Sequence, residues 1–168
     1  NDPKIQDKIQ DFSATLISQI DVLSSISTAF SHYAELPAQK NENIDIISAT
    51  KLALEIFNDQ NISFEANIDF LKVKIDRTNL IRIITNLVKN AIQATENTNS
   101  PKISVRVECI RNKAIIEIQD NGIGISKKNA EKIFEPKFTT KSKGMGLGLS
   151  IIKNLVTNYN GQIGFISR

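Results

Sequence analysis

The fold class is decided by one stretch, in which two alternating runs are joined by a short polar link: Ile103-Ser104-Val105-Arg106-Val107-Glu108-Cys109, Arg111-Asn112-Lys113 and Ala114-Ile115-Ile116-Glu117-Ile118-Gln119. Alternation of apolar and polar residues predicts two strands, and the short link predicts a hairpin. Shorter alternating runs predict further strands at 43–46, 62–66, 71–75 and 162–166. Helical spacing of apolar residues predicts a helix capped by Ser48 or Thr50, one capped by Asp76, and others at 127–133 and about 148–159. Hairpins among helices indicate an α+β fold with a mixed, mostly antiparallel sheet.

The composition narrows the function classes. Twenty-one basic and 18 acidic residues among 168 give a net charge of +3, an excess too mild to predict a nucleic-acid partner. One cysteine and one histidine exclude an intramolecular disulfide, a cysteine-based zinc site and a histidine-rich metal site. No apolar run approaches the roughly 18 residues of a membrane span. We therefore expect any contact with a membrane only through segments outside these residues.

Residues 1–37 carry a heptad pattern that the rest of the chain lacks. Two series recur every seven residues, the second interrupted by Gln19: Ile9, Leu16, Leu23 and Phe30, and Ile5, Phe12, Ile26 and Tyr33. Their combined spacing is typical of a coiled-coil or helical-bundle seam, and Pro37 ends the pattern. We expect one long helix through which the protein forms a homodimer. A long surface helix that lies on its own domain is the alternative.

Two asparagines share one face of the predicted helix after Asp76. Asn86 and Asn90 are four residues apart in Asn86-Leu87-Val88-Lys89-Asn90-Ala91, a spacing that makes their side chains neighbours. Oxygen donors on a helix are suited to Mg²⁺ that bridges nucleotide phosphates. Two ordinary solvated asparagines are the alternative.

A carboxylate and two glycines follow the hairpin, in Asp120-Asn121-Gly122-Ile123-Gly124. A strand-end carboxylate can accept a hydrogen bond from an exocyclic amine, while glycine backbone lies close to a flat ring. A calcium-binding EF-hand loop is rejected because Gly122 and Gly124 stand at two ligand positions and Ile125 stands where glycine is required. A plain turn from strand to helix is the alternative.

Two loops precede the final predicted helix. The first, from Phe134 to Lys141, holds Phe134 and Phe138 in a polar setting with Pro136, which indicates a segment that docks and undocks. The second is Gly144-Met145-Gly146-Leu147-Gly148-Leu149. Glycines before a helix let backbone N–H groups and the positive end of the helix dipole face a phosphate. Neither a dinucleotide-binding fingerprint nor a P-loop fits this spacing.

In this order and spacing, the four segments resemble the N box, first G box, F box and second G box of the ATP-binding domain of sensor histidine kinases in two-component systems. The resemblance covers about residues 40–168. It implies a two-layer α/β sandwich of the GHKL type, the histidine kinase-like ATPase or Bergerat fold, with a long N-terminal bundle helix. Tyr33-Ala34-Glu35-Leu36-Pro37 looks like the end of the second helix of the dimerisation and phosphoacceptor hairpin, and is most similar to the nitrogen-regulation subgroup.

The resemblance also implies roles for individual residues. Asp120 would bind the adenine amino group of ATP, Asn90 would ligate Mg²⁺, and Asn86 and Lys89 would complete the catalytic set beside the phosphates. Other cofactor-binding positions would shape the adenine pocket, the lid and the triphosphate site: Gly122, Gly124, Phe134, Phe138, Thr140, Lys141, Gly144, Gly146, Leu147 and Gly148.

Three functions remain open: a histidine kinase, an ATP hydrolase of the same fold, and an inactive module for nucleotide binding or dimerisation. Hydrolases of this fold place a glutamate general base four residues before the Mg²⁺ asparagine. The corresponding residue here is Asn86, and an amide cannot take a proton from water. The residues therefore favour the kinase, and with it a response-regulator receiver domain as the partner whose aspartate takes the phosphoryl group.

The phosphoacceptor histidine of that family is followed by an acidic residue, whereas His32 is followed by Tyr33. We therefore expect the H box to lie outside these residues, and the chain alone not to phosphorylate itself. The expected domains are part of the dimerisation and phosphoacceptor hairpin at 1–37 and an ATP-binding domain at 38–168 that lacks its last strand or strands. The expected location is the cytoplasm, or the cytoplasmic part of a membrane-anchored kinase.

Overall fold

The computed structural model describes residues 13, 41–57, 59–136, 138, 139 and 146–167. By its internal contacts the chain divides into two units, Asn1–Gln39 and Lys40–Arg168, and the second is described below by itself. Apart from Ser13, the predicted heptad helix lies outside the described residues, as does His32, so the dimer seam stays a prediction. Within the described ranges, no helix is long and apolar enough to cross a membrane.

The described part of the second unit contains five strands and four helices: β1 (Glu42–Asp45), α1 (Ile46–Glu55), β2 (Ile62–Ala66), β3 (Lys72–Ile75), α2 (Arg77–Thr95), β4 (Ile103–Ile110), β5 (Lys113–Asp120), α3 (Lys127–Ala130) and α4 (Gly148–Asn158). Strands β1 and β3 form a small antiparallel sheet. Strands β2, β4 and β5 form a second sheet in that order, with β2 parallel and β5 antiparallel to β4. The predicted α+β class with a mixed sheet is confirmed.

The hairpin of β4 and β5 determines where the second sheet ends. Arg111 and Asn112 have φ angles of 49° and 62°, as a two-residue type I′ turn requires. The register pairs Ile110 with Lys113 and Ile103 with Asp120. Asp120 therefore lies at the end of β5, beside the first residue of β4.

Helices α1 and α2 pack over the sheet and bury the principal core. Inward-facing Ile103, Val105 and Val107 of β4 are at most 2% exposed, as period-two alternation predicts. The central cluster joins both helices to the strands: Ile44, Ile46, Ile47, Ala49, Ala53, Leu80, Ile84, Val88, Val105 and Val107. A smaller cluster of Ile83, Ile152 and Leu155 lies between α2 and α4. The long helix α2 thus connects the core to α4.

The helix caps include one confirmed prediction and one error. Asp76 is the N-cap of α2, and its Oδ1 accepts from the Asn79 N–H at 3.1 Å. Neither Ser48 nor Thr50 caps α1. Asp45 does so, accepting from the N–H groups of Ile47 and Ser48. Because Asp45 is also the last residue of β1, the strand passes directly into the helix with no polar link to mark the boundary.

The strand predicted at 162–166 does not form, and residues 161–167 have no regular secondary structure. The alternation nevertheless has a physical basis. Ile163 packs against the cluster between α2 and α4, and the Phe165 ring contacts Phe134. Apolar alternation in this segment reflects side-chain packing without a backbone ladder. The helix predicted at 127–133 is also shorter, at Lys127–Ala130.

Candidate functional site

A row of side chains at four-residue spacing runs along α2. Asn86 and Asn90 are half-buried, and Lys89 between them is exposed. The Asn86 Nδ2 donates to the Arg82 carbonyl at 2.9 Å, which turns its Oδ1 away from the helix backbone. Burial lowers the pKa of the Arg82 guanidinium, which stays charged because arginine remains protonated throughout the physiological pH range. The helix thus presents two amide groups on one face, with Lys89 between them in sequence.

The loop after β5 is held in place by its own polar side chains. The Asp120 Oδ1 accepts from the Gly122 N–H at 2.9 Å. The Asn121 Oδ1 accepts from the Lys102 N–H, and its Nδ2 donates to the Ser100 carbonyl, both at 2.8 Å. Sequence reasoning missed Asn121. The available signal was that an asparagine side chain in a turn can replace a backbone partner.

Gly122 brings this loop onto α2. A Cβ at Gly122 would lie 2.3 Å from the Ala94 carbonyl oxygen and 2.8 Å from the Ala94 Cβ. The neighbouring Ile123 N–H donates to the same oxygen at 3.1 Å. Ala94 lies one helical turn beyond Asn90 in the Asn86–Asn90 row. The structure therefore joins the Asp120 loop to the helix that carries Asn86 and Asn90, and the contact lies at Ala94. In the sequence, the small side chain of Ala94 was the only sign of this close contact.

Helix α4 runs antiparallel to α2 and is joined to it near residue 159. The Tyr159 Oη accepts from the Asp76 N–H at 3.3 Å and from the Asn79 Nδ2 at 2.9 Å. Ile83 and Ile152, each seven residues from that junction, share one apolar cluster. At about 1.5 Å per residue, Asn86 lies ~15 Å along α2 from Asp76, and Gly148 lies ~16 Å back along α4 from Tyr159. The start of α4 therefore lies level with Asn86.

The first turn of α4 offers backbone donors. Its N-cap residue, Leu147, makes no side-chain cap hydrogen bond within the described chain. Gly146 has a φ of 66°, and a Cβ built at Gly148 would meet no atom of the described residues within 4 Å. Helical N–H groups without a side-chain cap, next to glycine backbone, suit a phosphate. Thr140, Lys141 and Gly144 lie outside the described residues, so their placement stays a prediction.

Phe134 is fixed to α4 and to the final segment. Its ring centroid lies 6.2 Å from that of Phe165 and 5.7 Å from the Lys153 Nζ. Phe138 is half-buried, and its N–H donates to the Glu135 carbonyl at 3.3 Å. Phe134 thus contacts both α4 and the final segment, and the lid role predicted for Phe134 and Phe138 stays a prediction. Gly124, predicted to shape the adenine pocket, has a φ of 66° that favours glycine.

Residues 75–168 match the family of histidine kinase-, DNA gyrase B- and HSP90-like ATPases, and this chain belongs to that family. The matched region includes α2, the Asp120 loop and α4. The predicted GHKL-type fold is thereby confirmed, and with it the resemblance to sensor histidine kinases, which rests on the following relatives.

A Rickettsia bellii protein named as an NtrY-like sensor histidine kinase is 31% identical over 172 residues, which cover 99% of this chain and 28% of that relative. The chain thus spans little more than a quarter of the relative's length. The nucleotide-free catalytic domain of histidine kinase ThkA is 32% identical, with a TM-score of 0.63 over 71% of this chain and 81% of the other. ThkA in complex with response regulator protein TrrA is 25% identical, with a TM-score of 0.71 over 96% of this chain and 47% of the other.

Proposed function

We propose that this chain is the ATP-binding catalytic part of a sensor histidine kinase, which transfers the γ-phosphoryl group of ATP to a histidine for relay to a response-regulator aspartate. The contact of Gly122 with Ala94 carries the proposal. Through it, the Asp120 loop is fixed to the helix that carries Asn86 and Asn90, and α4 begins level with Asn86. The site offers an acceptor for adenine at one end and donors for phosphates at the other.

Adenine recognition is assigned to Asp120 and the glycine backbone after it. The hydrogen bond from the Gly122 N–H uses one carboxylate oxygen, and a carboxylate has about four lone-pair sites. Asp120 can therefore also accept from an exocyclic amine. Because Gly122 has no side chain, its backbone can lie directly against Ala94, and this contact fixes the Asp120 loop on α2.

The residues of α2 fit Mg²⁺. Within the described ranges, no group of three or more histidine, cysteine, aspartate or glutamate side chains could hold a metal ion, but Mg²⁺ commonly takes few protein ligands and completes its shell with water and phosphate oxygens. We assign the ligand role to Asn90 and place Asn86 and Lys89 beside the phosphates. When bound with ATP, Mg²⁺ neutralises phosphate charge.

An asparagine at position 86 favours transfer over hydrolysis. Its amide has no basic site that could take a proton from water, so the nucleophile has to come from another segment. We propose a histidine outside this chain as that nucleophile, residues 1–37 as the homodimer contact, and a receiver domain as the next partner. The complex of the related ThkA with a response regulator supports that partner. The cytoplasmic location stays a prediction.

Incubation of the chain with γ-labelled ATP and Mg²⁺ tests this proposal. We expect calorimetric ATP binding that Mg²⁺ strengthens, with neither phosphate release above background nor label on the chain. Phosphate release that Asp120→Asn abolishes would identify a hydrolase instead. Stoichiometric acid-labile label on the chain would contradict an acceptor outside it.

A further inference from the structure

Tyr159 joins the two helices that flank the phosphate end of the proposed site. Its half-buried hydroxyl accepts from the Asp76 N–H and from the Asn79 Nδ2. The first bond satisfies a backbone donor at the start of α2, and the second engages a side chain in the first turn of that helix. One oxygen atom at the end of α4 thus contacts α2 at two points.

The end of α4 and the start of α2, which meet at Tyr159, are each stabilised by hydrogen bonds of their own. Asn160 has a φ of 56°, and the Gly161 N–H donates to the Val156 carbonyl at 2.9 Å, so α4 ends in a closed C-terminal turn. A Cβ at Gly161 would lie 2.9 Å from the Val156 Cγ1. On the other side, Asp76 caps α2. Tyr159 therefore connects two well-defined helix ends.

Ridges of apolar side chains can enter successive grooves of a neighbouring helix, so apolar packing alone allows more than one register of two helices. The cluster of Ile83, Ile152 and Leu155 stabilises α4 against α2, but burial of apolar surface is non-directional. The two hydrogen bonds to the Tyr159 hydroxyl are directional. They select one axial position of α4, and that position places Gly148 level with Asn86.

We propose that Tyr159 is a positioning residue for the phosphate end of the nucleotide site: its hydroxyl holds Gly148, at the start of α4, at the level of Asn86. This inference rests on the proposed function. The adenine end is held by other contacts: residues 120–123 are fastened to Ala94, Ser100 and Lys102, and among the described residues of the loop only Ile125, beyond them, donates to Ser167 in the segment after α4. Loss of the hydroxyl therefore affects the two ends of the site differently.

The substitution Tyr159→Phe removes only the hydroxyl. We expect affinity for ATP to fall about three- to ten-fold, in line with one net hydrogen bond, and affinity for adenosine to stay unchanged. Thr157→Val is the matched control, because the Thr157 hydroxyl donates within α4 to the Lys153 carbonyl at 2.8 Å and does not reach α2. Equal loss of ATP and adenosine affinity, or a lower melting temperature with both affinities intact, would overturn the proposal.

Asn79→Ala removes the side-chain donor to the same oxygen. It should lower ATP affinity in the same direction, and the double variant with Tyr159→Phe should be no weaker than the weaker single variant. Additive losses would show that the two residues act separately and would contradict the proposed tie.

Amide resonances measured without nucleotide separate this inference from the proposed function. In Tyr159→Phe we expect shifts at Gly146 and Gly148, at the far end of α4, with Gly122 unchanged. Shifts confined to residues 76–79 and 156–161 would refute the positioning role. A wild-type chain that bound no ATP would refute the proposed function, whereas the resonances would still decide the role of Tyr159.

Discussion

The two ends of the candidate nucleotide site are built in different ways. At the adenine end, Asp120, Asn121 and Gly122 are fixed by hydrogen bonds and close contacts within the loop and with its immediate neighbours. At the phosphate end, Gly148 is placed by a helix whose position depends on Tyr159, eleven residues away. A rigid base can be recognised by a preformed loop, whereas the phosphate donors are positioned from a distance. Substitutions at the adenine end should therefore act locally, and those at the phosphate end should act through α4.

Gly122→Ala should have the largest effect. The new Cβ would lie 2.3 Å from the Ala94 carbonyl oxygen, so the loop has to move away from α2, at a cost of about 3 kcal/mol in stability. Gly148→Ala is the comparison, because its Cβ meets no atom of the described residues within 4 Å and alanine is the better helix former. Thermal unfolding should show a clearly lower melting temperature for Gly122→Ala only. Equal melting temperatures would contradict the close contact with α2.

Asp120→Asn should weaken ATP binding next most strongly. It exchanges a charged acceptor for an amide, and loss of a charge-assisted hydrogen bond costs about 2 kcal/mol, or roughly 30-fold in affinity. Asp69→Asn serves as the control, because Asp69 is exposed in the loop between β2 and β3. Calorimetry should detect the loss at position 120 only, and unchanged affinity would remove Asp120 from the site.

Asp45 should show the smallest effect, on stability and not on binding. Burial raises the pKa of Asp45, but hydrogen bonds from the Ser48 hydroxyl and from the N–H groups of Leu71, Ser48 and Ile47 outweigh it, so the pKa lies below its ordinary value. A carboxylate whose pKa is lower in the folded chain stabilises the fold at pH values above its pKa in the unfolded chain, which is near 3.9. That stabilisation disappears as the pH falls through the pKa of the folded chain.

Asp45→Asn tests this assignment. We expect it to unfold about 1 kcal/mol more easily than the wild type at neutral pH, with the difference shrinking below about pH 4. ATP affinity at neutral pH should not change, since Asp45 caps α1 away from the proposed site. A difference in stability that persisted unchanged into acid would argue against the lowered pKa.

Patterns in the sequence predicted those features that depend only on residues close together along the chain. The β4–β5 hairpin follows from alternation, the start of α2 follows from Asp76, and the shared face of Asn86 and Asn90 follows from their spacing. The resemblance of four ordered segments to a known family added the fold type. Each of these inferences needs only neighbouring residues or their order.

The missed features depend on partners far along the chain. Ala94 meets Gly122 across 28 positions, and Tyr159 meets Asn79 across 80. No periodicity marks such pairs, since each residue fits its own element equally well without the other. The strand predicted at 162–166 was wrong for the same reason, because alternation reports which side chains share a face and not whether a neighbouring strand is present.

Transfer of label to a histidine supplied in trans tests the proposed kinase activity most directly. The chain would be incubated with γ-labelled ATP, Mg²⁺ and a separately produced helical hairpin that carries the phosphoacceptor histidine of an NtrY-like relative. We predict acid-labile label on the hairpin, none on this chain, and loss of the signal with Asp120→Asn. Release of inorganic phosphate with an unlabelled hairpin would contradict the assignment of this chain as a histidine kinase catalytic domain.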